Sequence, residues 1–179
     1  AYTLAFQGRR PSIVLHSSLI DILSETELQA VLAHELGHLK CEHGVWISMA
    51  NLLVLITESV GFNMVFIERV KSAVSQWVRS AELSCDRAAL IVVKDPMVVV
   101  GVMMKLSGGA GGSGVVGKLD VKEYLKQVEL YEKESKSTLG WMYRRSMNEG
   151  MSTHPLPVQR VKELIKYSES KEYKALLNE

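Results

Sequence analysis

His34, Glu35 and His38 stand in the order His-Glu-x-x-His within "AHELGHL", inside a run otherwise suited to a protein core. Residues four apart on a helix stand above one another, so His34 and His38 can aim two imidazoles at a single ion about 2 Å from each nitrogen. Glu35 lies about 100° round the helix from His34, near enough to reach a water at that ion without ligating it. The chemistry this pattern suits is hydrolysis, with one zinc ion per chain and Glu35 as general base. Hydrolytic zinc sites take three protein ligands and keep one position open for water. The chain must therefore supply one more.

Glu42 extends the series to i+8, but at about 1.5 Å per residue it lies about 12 Å along the axis from His34, too far for the same ion. An H-x-x-G-x-x-H extension needs a glycine where Cys41 stands and a histidine where Gly44 stands, so that pattern is absent. A stronger candidate is "SAELSCDRA", in which Glu82 and Asp86 are again four apart. Like charges at that spacing repel, and the pair makes sense if each carboxylate has its own partner. Glu82 on zinc, and Asp86 on the second N–H of a ligand histidine, would satisfy both and fix the histidine tautomer. The competing reading is a solvated helix with Arg79–Glu82 and Asp86–Arg87 pairs. Cys41 and Cys85 are soft alternative ligands, but without a Cys-x-x-Cys pair small, buried free thiols are the better reading. His16 and His43 have no partner spacing and read as structural or surface residues. His154, in "STHPLPVQRV", falls in a proline-bounded loop.

Several elements must position these groups. Tyr2 to Gln7 and Pro11 to His16 alternate in part around a turn at Gly8, which predicts two strands of a small sheet. Ser24 and Glu27 form an S-x-x-E capping box, so the helix bearing the motif begins near Glu25. On it Leu28, Leu32, Leu36 and Leu39 fall together, and this stripe is expected to face the core while the histidines look elsewhere. The apolar segment 45–69 contains a densest run of 13 residues, Val45 to Thr57. A bilayer span takes roughly 20, and Glu58, Asn63, Glu68 and Arg69 interrupt it, so a buried helical hairpin is expected.

Further helices are predicted over Gln76 to Val93, from Asp95-Pro96 to Leu106, over Val121 to Glu134, and from Pro157 to Leu177. Between them, Ser107 to Lys118 holds six glycines and reads as a flexible loop. Its Gly112-Ser113-Gly114-Val115-Val116-Gly117 matches G-x-G-x-x-G without the preceding strand a dinucleotide site requires.

The chain has 179 residues, 47% of them hydrophobic, and a net charge of +1. That length suits one domain, 1–179, and the balance of charge gives no footprint for nucleic acid. Two cysteines cannot make a multi-bridge secreted framework and suggest a reducing compartment. The chain opens on "AYTLAFQGRR", with neither an apolar signal segment nor an Arg/Ser-rich transit segment ahead of it, so localisation cannot be read from this end.

His34-Glu35-Leu36-Gly37-His38, then Glu82-Leu83-Ser84-Cys85-Asp86, then Ser152-Thr153-His154-Pro155 followed by Arg160-Val161, resembles the three-part signature of the gluzincin metallopeptidases related to bacterial HtpX and the CAAX prenyl proteases. The region from Tyr2 to Lys40, with the "GVW" after the motif, looks similar to the soluble plastid and cyanobacterial branch. The resemblance implies a mainly helical α+β domain with the motif on an active-site helix and a small N-terminal sheet. It also implies a zinc endopeptidase acting on peptide or protein substrates in the plastid, at plastoglobules. By the same resemblance Glu82 is the third zinc ligand and Asp86 its neighbour's support. His154 is the electrophilic group at the oxyanion, and Arg160 helps to order its loop. Relatives with a membrane-spanning hairpin place it where Val45 to Arg69 stands. Here that segment is short and interrupted, leaving peripheral membrane or lipid-particle contact through apolar surface.

Two readings compete with the peptidase. A zinc-stabilised binding or scaffold module needs a closed, four-ligand site, with Cys41, Cys85 or His154 as the fourth leg. Zinc-dependent hydrolysis of a non-peptide amide or ester uses the same residues and is separated only by a panel of substrates.

Overall fold

The Ser24 hydroxyl accepts the backbone N–H of Glu27 at 3.3 Å, and a Glu27 carboxylate oxygen accepts that of Ser24 at 2.8 Å. This capping box satisfies two donors that a helix start would leave orphaned, and the helix runs over Glu25–Lys40. The computed structural model describes residues 1–4, 11–108, 125, 126, 129, 130, 133 and 157–177. Nearly all of the glycine-rich segment, most of the helix expected over 121–134, and His154 lie outside the described residues.

Among the described residues the order is β1 (Tyr2–Leu4), β2 (Ser12–Val14), α1 (Ser17–Ile22), α2 (Glu25–Lys40), α3 (His43–Ser59), α4 (Met64–Val93), α5 (Pro96–Gly108), α6 (Pro157–Ser168) and α7 (Lys171–Leu176). The strands pair antiparallel with Thr3 opposite Ile13. The architecture is the mainly helical α+β arrangement expected. Where one helix was expected over Pro157 to Leu177 there are two. The Ser170 hydroxyl caps the second by accepting the Tyr173 N–H at 3.1 Å. Residues six apart on one unbroken helix would point well away from each other. The break instead brings the buried Tyr167 and Tyr173 rings within 5.4 Å on the same core.

That core gathers Leu19, Val31, Leu90, Val100, Val161, Leu164 and their neighbours from α1, α2, the second half of α4, α5, α6 and α7. Across it, Lys105 on α5 reaches Glu27 at 2.6 Å and the Ile22 carbonyl at 3.2 Å, tying α5 to the start of α2.

Two expectations are corrected. The leucines of α2 do not form its buried face: Leu36 is exposed and Leu28, Leu32 and Leu39 are half-buried, while Ala30, Val31, Ala33 and Glu35 are the buried residues. The inward stripe is Ala30, Ala33, His34, Gly37 and His38, at helical spacing, because the groups that partner the histidines sit across α4. Gly37 permits the approach: a Cβ there would lie 3.2 Å from Cys85 Sγ and 3.5 Å from Ala88 Cβ. The segment 45–69 forms a helical hairpin, but not a buried one. After Lys40 the chain turns through Glu42, whose φ of 52° is left-handed, and α3 leaves α2 at 58°. It is thereby directed away from the core and packs chiefly on α4 and α2. Trp46, Leu52, Leu53, Leu55, Ile56, Phe62, Val65 and Phe66 are all exposed. Among the described residues no single helix is long and apolar enough to cross a membrane, although α2 and α3 in series meet the length and composition.

Candidate active site

Among the described residues α2 and α4 share the most extensive helix interface, and Glu82 and Asp86 of α4 meet the two histidines of α2 there. His34 Nε2 and His38 Nε2 are 3.2 Å apart. Glu82 closes the triangle, with one oxygen 3.6 Å from His34 Nε2 and the other 3.4 Å from His38 Nε2. Donors held about 2.0–2.2 Å from one tetrahedral ion stand roughly 3.3–3.5 Å from each other, so this set has the size of a metal site. Among the described residues no fourth His, Cys, Asp or Glu joins it.

Asp86, one turn along α4, has an oxygen 3.1 Å from His34 Nδ1, the contact expected of it. Its carboxylate also takes two bonds from Arg160, from Nε at 2.8 Å and Nη2 at 2.5 Å. The Nη1 atom of Arg160 lies 3.3 Å from Glu82. Arg160 thus braces both carboxylates from α6, a role the resemblance did not assign to it. The solvated-helix reading of this stretch fails: Glu82 and Asp86 are buried, and Arg87 lies over the Tyr167 ring at 4.6 Å instead of facing Asp86.

Burial by itself raises a carboxyl pKa. Here the His38 hydrogen bond, Arg160 and His34 outweigh it and hold Glu82 down at about 2. Asp86 is likewise held below its ordinary value, burial being outweighed by Arg160 and His34. Both are thereby held toward the ionised form, with the Arg160 guanidinium as their shared cation. Arg160 is shifted upward despite its burial because Asp86 stabilises the charge.

Behind His38 lies a residue that spacing alone did not reveal. His43 Nδ1 is 3.1 Å from His38 Nδ1 and 3.5 Å from Cys85 Sγ, with the Trp77 ring edge-on at 6.0 Å. Continued helix would carry position 43 about 140° round from His38, whereas the left-handed turn at Glu42 folds it back. The only signal available was a histidine just past the motif. Burial, aided by the neighbouring His38, lowers the His43 pKa. Both cysteines are free. Cys41 is exposed, against the burial expected of it, whereas Cys85 is buried as expected, its thiol pushed up to about 12 by burial and then by Glu82 and Asp86. Cys85 groups with His43 rather than with Glu82. His16 does not join these groups; its ring lies tilted against that of Tyr2 at 5.8 Å.

Glu35 is buried and, with His34, Asp86 and Arg160, borders a cavity of about 220 Å³ whose remaining wall is largely apolar, including Val31, Val99, Val102 and Met103.

The model of peptidase family M48 matches residues 1–168. The chain is 51% identical over 178 residues to the plastoglobule-localized metallopeptidase 48, chloroplastic, of Arabidopsis thaliana, covering 99% of this chain and 51% of that protein. It is 40% identical over 67 residues to a protease HtpX homolog of Picrophilus torridus, covering 37% of this chain and 21% of that one. The chain thus spans about half the length of the more extensively matched relative. No solved structure matches. With the His-Glu-x-x-His helix, the acidic pair of α4 and a family match along nearly its whole length, this chain belongs to peptidase family M48.

Proposed function

We propose that this chain is the catalytic part of a zinc metalloendopeptidase, with His34, His38 and Glu82 as metal ligands. The observation that carries the reading is the convergence of two imidazole nitrogens and a carboxylate within 4.8 Å of one another, without a fourth candidate ligand among the described residues. A set of two His and one Glu suits zinc and leaves a position for water. This favours an enzyme over the closed site of a scaffold module. When bound, zinc supplies a Lewis acid that polarises the scissile carbonyl and acidifies water.

The chain's own residues do the rest. Glu35 takes the proton of the attacking water and delivers it to the leaving amine. His154 donates to the developing oxyanion, a contact strongest in the transition state. Asp86 and Arg160 hold His34 and Glu82 in place. The apolar wall of the cavity receives an aliphatic or aromatic substrate side chain, while the open edge of the β1–β2 sheet pairs with substrate backbone.

The relative's name places that protein at chloroplast plastoglobules. We assign this chain the same location, with the exposed α3–α4 hairpin resting in a lipid-particle surface. The wide apolar face around Leu52, Leu53 and Phe66 supports that contact.

The deciding experiment is casein hydrolysis by the zinc-loaded chain, with a chelator control and the Glu35→Gln variant. Activity abolished by chelation, and reduced roughly 10²–10⁴-fold in Glu35→Gln with one zinc still bound, is the expected result. Loss of metal from Glu35→Gln to the same degree as from Glu82→Ala would overturn the division of roles.

A further inference from the structure

Each of the two histidines facing Glu82 has its second ring nitrogen turned away from that set. The one on His34 meets the Asp86 carboxylate at 3.1 Å. The one on His38 meets another imidazole, His43 Nδ1, at 3.1 Å. Two ring nitrogens at that distance need one N–H and one lone pair between them. If His38 is to offer a lone pair at Nε2, beside Glu82 and His34, its neutral ring must carry the proton on Nδ1. His38 is then the donor and His43 the acceptor.

We propose that His43 is the positioning residue for His38, fixing its tautomer and ring orientation as Asp86 does for His34. The proposal rests on the metal-ligand reading of His34, His38 and Glu82. His43 is itself held: it is buried, Cys85 Sγ faces the same nitrogen at 3.5 Å, and Trp77 stands edge-on to its ring. The two supports differ in charge. A carboxylate behind an imidazole strengthens that ligand's donation to the cation, while a neutral imidazole aligns its partner and donates less. His43 thus orients one ligand without further reducing the effective charge of the ion.

The atoms of His38, His43 and Cys85 also lie close enough together to hold a cation. Such an ion would need His38 to lose both ring protons and serve two metals at once. The hydrogen-bonded arrangement asks for no such step.

The test compares His43→Gln, whose side-chain carbonyl can still accept from His38, with His43→Leu, which cannot. Zinc affinity is read by chelator competition, and histidine tautomers by nitrogen-15 NMR of the zinc-loaded full chain. Expected are a 10–100-fold weaker affinity in His43→Leu, a change of only a few fold in His43→Gln, and a wild-type spectrum with His38 protonated at Nδ1 and His43 at Nε2.

Equal losses in both variants would reduce His43 to a packing residue and overturn the proposal. So would wild-type affinity in a folded His43→Leu, the reverse tautomers, or a second zinc equivalent lost in His43→Gln. If the leucine variant does not fold, the wild-type tautomers and the glutamine variant decide. A zinc affinity indifferent to Glu82→Ala sinks the ligand assignment itself, whereas dependence on Glu82 without dependence on His43 sinks this inference alone.

Discussion

The two halves of α4 invert the usual placement of side chains. Its beginning carries Met64, Val65 and Phe66, all exposed, whereas its later turns carry Glu82 and Asp86, both buried. Water is left to these apolar side chains and withheld from those two carboxylates. The difference lies in partners. Each buried carboxylate meets a histidine and the Arg160 guanidinium, so its desolvation is offset by charge-assisted hydrogen bonds. The hairpin side chains meet little beyond each other, such as Phe62 against Phe66 at 4.9 Å.

If that contrast is right, substitutions in the two halves must act on different quantities. The largest effect on stability is expected for Asp86→Ala, which removes a buried carboxylate and leaves the half-buried Arg160 guanidinium and His34 Nδ1 without that partner. A loss of about 3–5 kcal/mol in urea unfolding of the metal-free chain is expected, with zinc affinity falling 10–100-fold. A loss below about 1 kcal/mol would show that the site half is no more tightly tied than the hairpin.

The same carboxylates give the site half a pH signature. Glu82 titrates at about 2 in the folded chain against an ordinary 4.5, so its contribution is complete above pH 4.5 and is lost as pH falls toward 2. Thermal melts of the metal-free chain should show a Tm that declines across this window, and in Glu82→Gln the decline should be shallower. Smaller again is the cost of Gly37→Ala. Its new methyl would press on Cys85 Sγ, and overpacking at such a contact costs about 1–3 kcal/mol. A neutral result in chemical denaturation would mean α2 and α4 can separate without harm.

The smallest stability effect is expected in the hairpin, where Phe62→Asp combined with Phe66→Asp should change unfolding by about 0.5 kcal/mol or less. That double variant should nevertheless abolish co-flotation with lipid droplets while casein turnover stays the same. Retained flotation would remove the lipid surface as the partner of this region.

The sequence made some of this legible and concealed the rest for definable reasons. His34, Glu35 and His38 could be placed because i, i+4 geometry is local, and so could the Ser24 cap and the Glu82–Asp86 pair. The inward face of α2 could not, because leucines at a regular spacing say which residues share a face but not which face a neighbouring helix will cover. His43 was missed because its placement turns on the left-handed backbone at Glu42. The hairpin was misread as buried because apolar composition records a preference, while burial depends on whether other elements leave room. The second role of Arg160 needed the fold, since it lies 74 residues from Asp86 along the chain.

α4 is continuous from Met64 to Val93, with no break between its two ends. Phe66 and Glu82 are therefore separated by a fixed length, roughly 24 Å along the axis at 1.5 Å per residue. The helix acts as a ruler. Whatever is bound at the hairpin tip therefore meets the site through a rigid spacer, and the two ends cannot approach each other without breaking the helix.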